Sequence, residues 1–223
     1  MNLEAFENLY EFYRKERDAY PEFFRLRIHR SLSWLKKAVA EPDDLDIQFI
    51  SLWISFNAAY AKDLKFHQSV ADRAEFRNFI NEICLFDKER QIYQLVWETY
   101  SSHIRMLLDS PYTLQAFWDF HNGLISETAW KEIALDAKTK ANNALRRVED
   151  VESILYVIFD RLYTLRNQLV HGGSTYNSSA NRKQLKDACL LLSDLIPLFL
   201  KLTMANANSH DWGKPFYPYI RED

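Results

Sequence analysis

Apolar residues three and four positions apart recur along almost the whole chain, the period of a helix that buries one side. Leu3, Phe6, Tyr10 and Tyr13 mark a first helix over residues 2–19. Pro21 can open a second, because the first helical turn needs no N–H from its leading residue. Phe24, Ile28, Leu32, Leu35 and Val39 share the inner face of that helix, and Glu41-Pro42-Asp43 breaks it. The third helix, from about Asp44 to Lys62, carries two apolar stripes: Ile47, Ile50, Ile54, Ala58 and Phe49, Trp53, Phe56, Tyr60. A helix apolar over most of its surface is expected at the centre of a bundle.

Ser69-x-x-Asp72 is a capping box with Asp in place of Glu, and opens a helix holding Phe76, Phe79, Ile83 and Phe86. The next helix is predicted from about Lys88 to Leu108, where Ser110-Pro111 separates it from a short aromatic helix with Phe117 and Trp118. His121-Asn122-Gly123 ends that one, and a polar, Ala-rich helix runs from Ser126 to Val148. Two long seams follow: Leu155, Ile158, Leu162, Leu165, Leu169, and Leu185, Ala188, Leu192, Leu195, Phe199, Leu202. Pro197 is expected to kink the second. A polar loop from His171 to Ser179 joins the two, and Trp212 to Pro218 is expected to lie extended along the bundle with its aromatics buried. The other tryptophans, Trp118 and Trp130 among them, read as core.

Composition narrows the classes. Four glycines and six prolines in 223 residues are too few for the turns of a β-sandwich or barrel, and the glycines lack the spacing of a Rossmann or P-loop fold. A net charge of -3 argues against a general nucleic-acid coat and leaves room for a small basic site. Cys84 and Cys189 are too far apart for CxxC chemistry, and their small number suits a reducing cytosol. The N-terminus has no signal-peptide pattern, and polar residues interrupt the longest apolar stretches, so a cytoplasmic protein without a membrane span is expected. None of the six histidines has another His or Cys at ligand spacing, so no metal site and no cofactor are implied.

One segment combines groups that suit chemistry on RNA: Leu165-Arg166-Asn167-Gln168-Leu169-Val170-His171-Gly172-Gly173. Asn167 and His171 are one turn apart on one face. Arg166 lies about 140° around the helix from His171, so only its long side chain, or a distorted last turn, brings it to the same mouth. An imidazole takes or gives a proton near neutral pH. A guanidinium holds a phosphate and offsets its developing charge. Asparagine can orient the histidine or the substrate, and glycines admit close backbone approach. A structural reading stands beside this one. Arg and His are ordinary near a helix C-terminus, and Gly-Gly is an ordinary stop.

Arg-Asn-x-x-x-His-Gly in the penultimate helix of an all-helical chain resembles the motif of HEPN domains, an Arg and a His separated by four to six residues. The stretch Phe49-Ile50-Ser51-Leu52-Trp53-Ile54-Ser55-Phe56-Asn57-Ala58-Ala59-Tyr60 is similar to the aromatic central helix of several bacterial HEPN groups. Leu165 to Arg182, with Tyr176-Asn177-Ser178-Ser179 after the glycines, is similar to stand-alone bacterial HEPN proteins. The likeness covers roughly residues 44–62 and 150–205. It implies an all-α, single-domain, HEPN-like helical bundle with extra helices. Residues 62–149 would be a helical insertion packed on the same core, and 206–223 an extended tail.

Active HEPN proteins are metal-independent endoribonucleases. They work as dimers, with the Arg and His of both chains in one cleft. The ribose 2′-OH attacks the adjacent phosphate and leaves a cyclic phosphate and a 5′-OH. Many are toxins or serve in phage defence. The resemblance therefore implies Arg166, Asn167 and His171 as catalytic residues, with Gly172 and Gly173 supporting them. It also implies a homodimer, RNA as substrate or ligand, and an antitoxin or defence-system partner protein. In family members paired with a nucleotidyltransferase antitoxin, a Tyr often stands two residues after the His. That position is Gly173 here, and Tyr176 is not its equivalent, so regulation by nucleotide attachment is not supported. Other members bind RNA, nucleotides or proteins without cutting, which is the alternative reading.

Two further sets keep two readings each. Asn57 interrupts the Ile47, Ile50, Ile54 stripe. It either bridges to the Arg-Asn-His helix as a supporting residue or satisfies a core backbone group and fixes helix register. Arg182, Lys183 and Lys186, and the second helix's Arg25, Arg27, Arg30, Lys36 and Lys37, either track an RNA backbone or form solvated faces.

Overall fold

Helices form where the hydrophobic period places them, in a computed structural model that describes residues 1–61, 69–215 and 217. They are α1 (Leu3–Glu16), α2 (Glu22–Ala40), α3 (Leu45–Tyr60), α4 (Ser69–Phe86), α5 (Gln91–Tyr93), α6 (Ser101–Asp109), α7 (Gln115–His121), α8 (Glu127–Arg146), α9 (Val151–Val170) and α10 (Arg182–Ala205). No strand occurs among the described residues, and the fold is an all-α single domain. The end of the third helix at Lys62 lies outside the described residues, as do Phe216 and Pro218 of the tail. Several helix starts are fixed by side chains that accept an otherwise unpaired N–H. Asn2 accepts from Ala5 at 2.9 Å, Asp44 from Ile47 at 3.0 Å, Ser126 from Ala129 at 3.2 Å and Asp150 from Ser153 at 3.0 Å.

The antiparallel pair α2 and α3 is unusually close because its contact residues are small. Ser31 Oγ donates to the Ser55 carbonyl and Ser55 Oγ to the Ser31 carbonyl, both at 2.8 Å, with both side chains fully buried. On its opposite side α3 meets α4, α9 and α10 through aromatic rings. Phe56 lies 4.5 Å from Phe159, 6.1 Å from Phe79 and 6.3 Å from Phe199, centre to centre. The middle of the chain joins this core: Phe79, Ile80, Ile83, Ile92, Val96, Ile104 and Leu107 are buried in the same cluster as the leucines of α9 and α10. α10 alone among the described helices is long and apolar enough to cross a membrane, and most of that stretch is buried in this core.

Several expectations change. The helix predicted from Lys88 to Leu108 is divided. A wide turn over Gln94–Thr99, closed by Tyr100 N–H onto the Leu95 carbonyl at 2.8 Å, parts α5 from α6. It lets Trp97 Nε1 donate to the Leu145 carbonyl and Tyr100 Oη to Asp194. Only one stripe of α3 is buried. Phe49, Trp53 and Phe56 face inward, while Ile47 is 39% exposed and Ile50 and Ile54 are half-buried. Trp118 and Trp130 leave the main core and are half-buried beside Phe117 on α7 and α8, with the exposed Tyr112 just before α7. In the tail, Trp212 is buried and Tyr217 is exposed.

Of the second helix's basic residues, Arg27 is in the core, while Lys36 and Lys37 are exposed. Arg27 is only 1% exposed. Its Nη1 donates to the carbonyls of Ala59 and Ala61 at 3.0 and 2.9 Å, and its Nη2 to those of Trp212 and Gly213 at 3.0 and 3.4 Å. Burial pulls its pKa down to about 10, against the negative charge of Glu75, so it stays protonated at neutral pH. Lys37 pairs with Glu41 at 2.5 Å and Arg25 reaches Asp18 at 3.9 Å. Arg27 thus closes the end of α3 and ties the tail to it, while the Trp212 ring packs among Phe24, Phe79 and Phe86. Trp212→Ala should lower the unfolding free energy by about 3–5 kcal/mol, read from urea denaturation. Arg27→Met keeps the bulk and removes the donors; it should cost about 1–3 kcal/mol for each carbonyl left buried and unpaired.

Candidate functional site

The C-terminal end of α9 is shaped by its two glycines. His171 is the capping residue, and Gly172 follows with φ +70°, the left-handed region that glycine enters without strain. Gly173 N–H donates to the Gln168 carbonyl at 2.7 Å and Gly172 N–H to the Leu169 carbonyl at 3.3 Å. This is the Schellman arrangement. A Cβ on Gly173 would come within 3.1 Å of the Gln168 carbonyl oxygen. The helix stop alone therefore requires both glycines.

The three motif side chains sit on the last two turns. His171 is exposed, and its ring makes no hydrogen bond or ion pair among the described residues. Arg166 and Asn167 are half-buried. Arg166 Nη1 donates to Asn167 Oδ1 at 3.0 Å, so the guanidinium has swung toward the face that Asn167 shares with His171. Its carbon lies 6.0 Å from the centre of the Tyr163 ring, and its Nε is buried without a hydrogen-bond partner.

Asn57 is not brought to these groups. Trp53 packs on Phe159 and Tyr163, and Phe56 on Phe159, so α3 and α9 run antiparallel and Asn57 falls beyond the Phe159 level. That level is about 18 Å along α9 from His171. Asn57 Oδ1 is buried without a hydrogen-bond partner.

The loop after His171 is tied to the start of α3 by two carboxylates. Asp46, buried, accepts from the Asn177 N–H and from Arg182 Nη2, both at 3.0 Å. Asp44 accepts from the Tyr176 hydroxyl at 2.5 Å. That hydroxyl, with the Ile47 N–H, holds the Asp44 carboxyl below its ordinary range. Arg182 also donates from Nε to the Ser178 carbonyl at 2.9 Å. Arg182 is therefore a loop anchor, while Lys183 and Lys186, which open α10 with it, are exposed. Gln168 and Asn181 bridge helix and loop at 2.6 Å, beside a cavity of about 20 Å³ lined by both polar and apolar side chains.

On α3, Phe49 and Phe56 face the core, Ser51 and Ser55 are buried toward α2, and Trp53 meets α9. Ile47 is left outward, Ile54 is half-buried beside it, and Ile50 is half-buried against the core. On α9, Leu155, Ile158, Leu162 and Leu165 are buried, which leaves Tyr163, Asn167 and His171 outward in a row. The two outward sets share one face of the molecule, joined where Trp53 touches Tyr163. Among the described residues, no three His, Cys, Asp or Glu side chains gather as a metal would need. The sequence reading passed over Tyr163 and Asp46. Tyr163 was legible as the next member of the Asn167–His171 row, and Asp46 as the single charge in α3.

No family model, no curated protein and no solved structure matches this chain.

Gly172→Ala should lower stability by about 1–2 kcal/mol through the left-handed backbone it must keep, with Gly172→Asn milder; chemical denaturation reads both. Asp46→Ala should cost about 1.5–3 kcal/mol and speed amide exchange across 174–181. Because the folded pKa of Asp44 is depressed, its tie contributes above the ordinary carboxylate range. It should be lost as pH falls through the folded value, seen as a smaller exchange protection factor at Asn177 after correction for the intrinsic pH dependence of amide exchange.

Proposed function

We propose that this chain is a HEPN-like, metal-independent endoribonuclease that acts as a homodimer, with Arg166, Asn167 and His171 as its working residues. The observation that supports it most is the coincidence, on one face, of an uncharged apolar stripe and the Arg-Asn-His helix end. Ile47 and Val170 there are 39% and 50% exposed. Trp34, one turn past the Ser31 contact, extends the face on α2. Outward apolar side chains gathered on one face mark a surface for a partner. A second copy across a two-fold axis would double the single Arg/His pair and set the two helix ends against one RNA strand.

The chemistry follows from the groups. His171 of one subunit takes the proton from the ribose 2′-OH as its oxygen attacks the neighbouring phosphorus. The bond from phosphorus to the 5′ oxygen breaks, and the second His171 supplies the proton to that leaving oxygen. Arg166, held by Asn167, lies against the phosphate and offsets the charge that builds on it. The products are a cyclic phosphate and a 5′-OH. A role as toxin or phage-defence protein in the cytoplasm, beside an antitoxin or other partner protein, completes the reading. The alternative is a HEPN module that binds RNA, a nucleotide or a protein without cutting. It draws on the Arg166–Asn167 bond, which engages the guanidinium with its neighbour and leaves His171 apart.

Incubation with total RNA in EDTA decides between them. Wild-type protein should cut RNA and leave DNA intact, since DNA lacks the attacking hydroxyl. His171→Ala should lower the rate by about 10²–10⁴-fold, and Arg166→Ala by a comparable factor. Arg166→Lys should restore only part, because lysine lacks the planar fork. All three should stay folded by circular dichroism, given the exposed position of His171 and the half-buried one of Arg166. Cleavage that needs a metal, or a folded His171→Ala protein that cuts at the wild-type rate, overturns the mechanism. Light scattering should give a dimer at tens of micromolar, and Ile47→Glu should give a folded monomer without cleavage.

A further inference from the structure

The outward row on α9 is longer than this chemistry uses. Tyr163, Asn167 and His171 follow one another at four-residue intervals, so they line one side of the helix about 6 Å apart along its axis. An exposed tyrosine on a helix would ordinarily turn freely in water. Tyr163 is held. Trp53, itself buried, packs against it with ring centres 6.2 Å apart and planes at 55°, and the Arg166 guanidinium borders it at 6.0 Å. About half of the Tyr163 surface stays open. Its hydroxyl makes no hydrogen bond among the described residues, so the ring is not there to place that group. A ring fixed on one side and open on the other, beside a cation, is what seats an unpaired base against a backbone phosphate.

Resting on the endoribonuclease reading, we infer that Tyr163 is the base-stacking residue of the site. It seats the base of a nucleotide next to the bond that is cut, in single-stranded RNA. The phosphate is thereby placed at Arg166, and the ribose hydroxyl at His171. In a duplex the bases are stacked on one another and offer only their edges, so the ring selects unpaired over paired RNA. Every base has a stackable face, so it selects strandedness ahead of sequence.

Binding of fluorescein-labelled 2′-O-methyl RNA decamers, which cannot undergo 2′-OH attack, separates seating from cutting. Wild-type protein should prefer the single strand to the duplex. Tyr163→Leu should bind the single strand roughly 5- to 100-fold more weakly, the contribution of one stacked base, while Tyr163→Phe and Tyr163→Trp should hold near wild type. In a series of decamers each lacking one base, one position should bring wild type down to the Tyr163→Leu level and leave Tyr163→Leu unchanged. Light scattering should give every variant the wild-type mass. Equal binding by Tyr163→Leu and wild type overturns the stacking role and leaves His171-dependent cleavage standing. So does an absent preference for the single strand. A dimer lost in Tyr163→Leu and kept in Tyr163→Phe overturns it too, by giving the ring to the subunit interface. If wild-type protein binds neither strand and cuts no RNA, the stacking role and the endoribonuclease reading fall together.

Discussion

The structure depends on burying α3, a helix whose single charged residue is Asp46. Such a helix gains nothing from water along most of its length, so it must be covered by its neighbours. The small side chains of Ser31 and Ser55 admit α2, and the rings of Phe79, Phe159 and Phe199 close around Phe56 from three other helices. The ends of α3 pose the remaining problem, since helix termini leave polar backbone groups without partners. Asp44 accepts the Ile47 N–H at the start of the helix, and a buried charge near each end ties in other segments. At the first end Asp46 gathers the loop and Arg182. At the other, Arg27 takes the carbonyls of Ala59 and Ala61 together with those of the tail. The apolar packing sets where α3 lies, and the two charges fix which segments close over it.

Much of this was legible in the sequence because it rests on local periodicity. The seams of α9 and α10, the break at Pro42 and the aromatic side of α3 all follow from spacing alone. What was not legible is decided by partners distant in sequence. Arg27 sits among five basic residues on one helix and reads as part of a solvated face. The carbonyls of Ala59 and Ala61, with those of Trp212 and Gly213 185 and 186 residues away, make it a core residue. The turn at Gln94–Thr99 has no glycine or proline to announce it. It holds because Trp97 and Tyr100 find partners on α8 and α10. The Ile47, Ile50, Ile54 stripe looks as apolar as the buried one, and periodicity cannot tell a core from an uncovered surface.

The motif was likewise visible in part. Its residues and their order can be read directly, and so can the glycines that stop the helix. The swing of Arg166 onto Asn167 could be stated only as a geometric option until the structure placed it. The loop that follows His171 looks like a flexible polar connection. Instead, Asp44 and Asp46 hold it against the first turn of α3, so His171 projects from a braced corner of the fold. A side chain on such a corner needs less reorganisation to meet a ligand than one on a free loop.

The Arg27 clasp also has a consequence in time. Its last two acceptors are synthesised 185 and 186 residues after the arginine itself. At the usual pace of translation that interval is roughly 10–40 s. Throughout it, a growing chain carries a cation on α2 whose final partners do not yet exist, and the Trp212 slot between Phe24 and Phe79 stands empty. The α9 helix end is made before the clasp can shut. A nascent-chain chaperone that shields the exposed rings of α2 and α4 would act within that window.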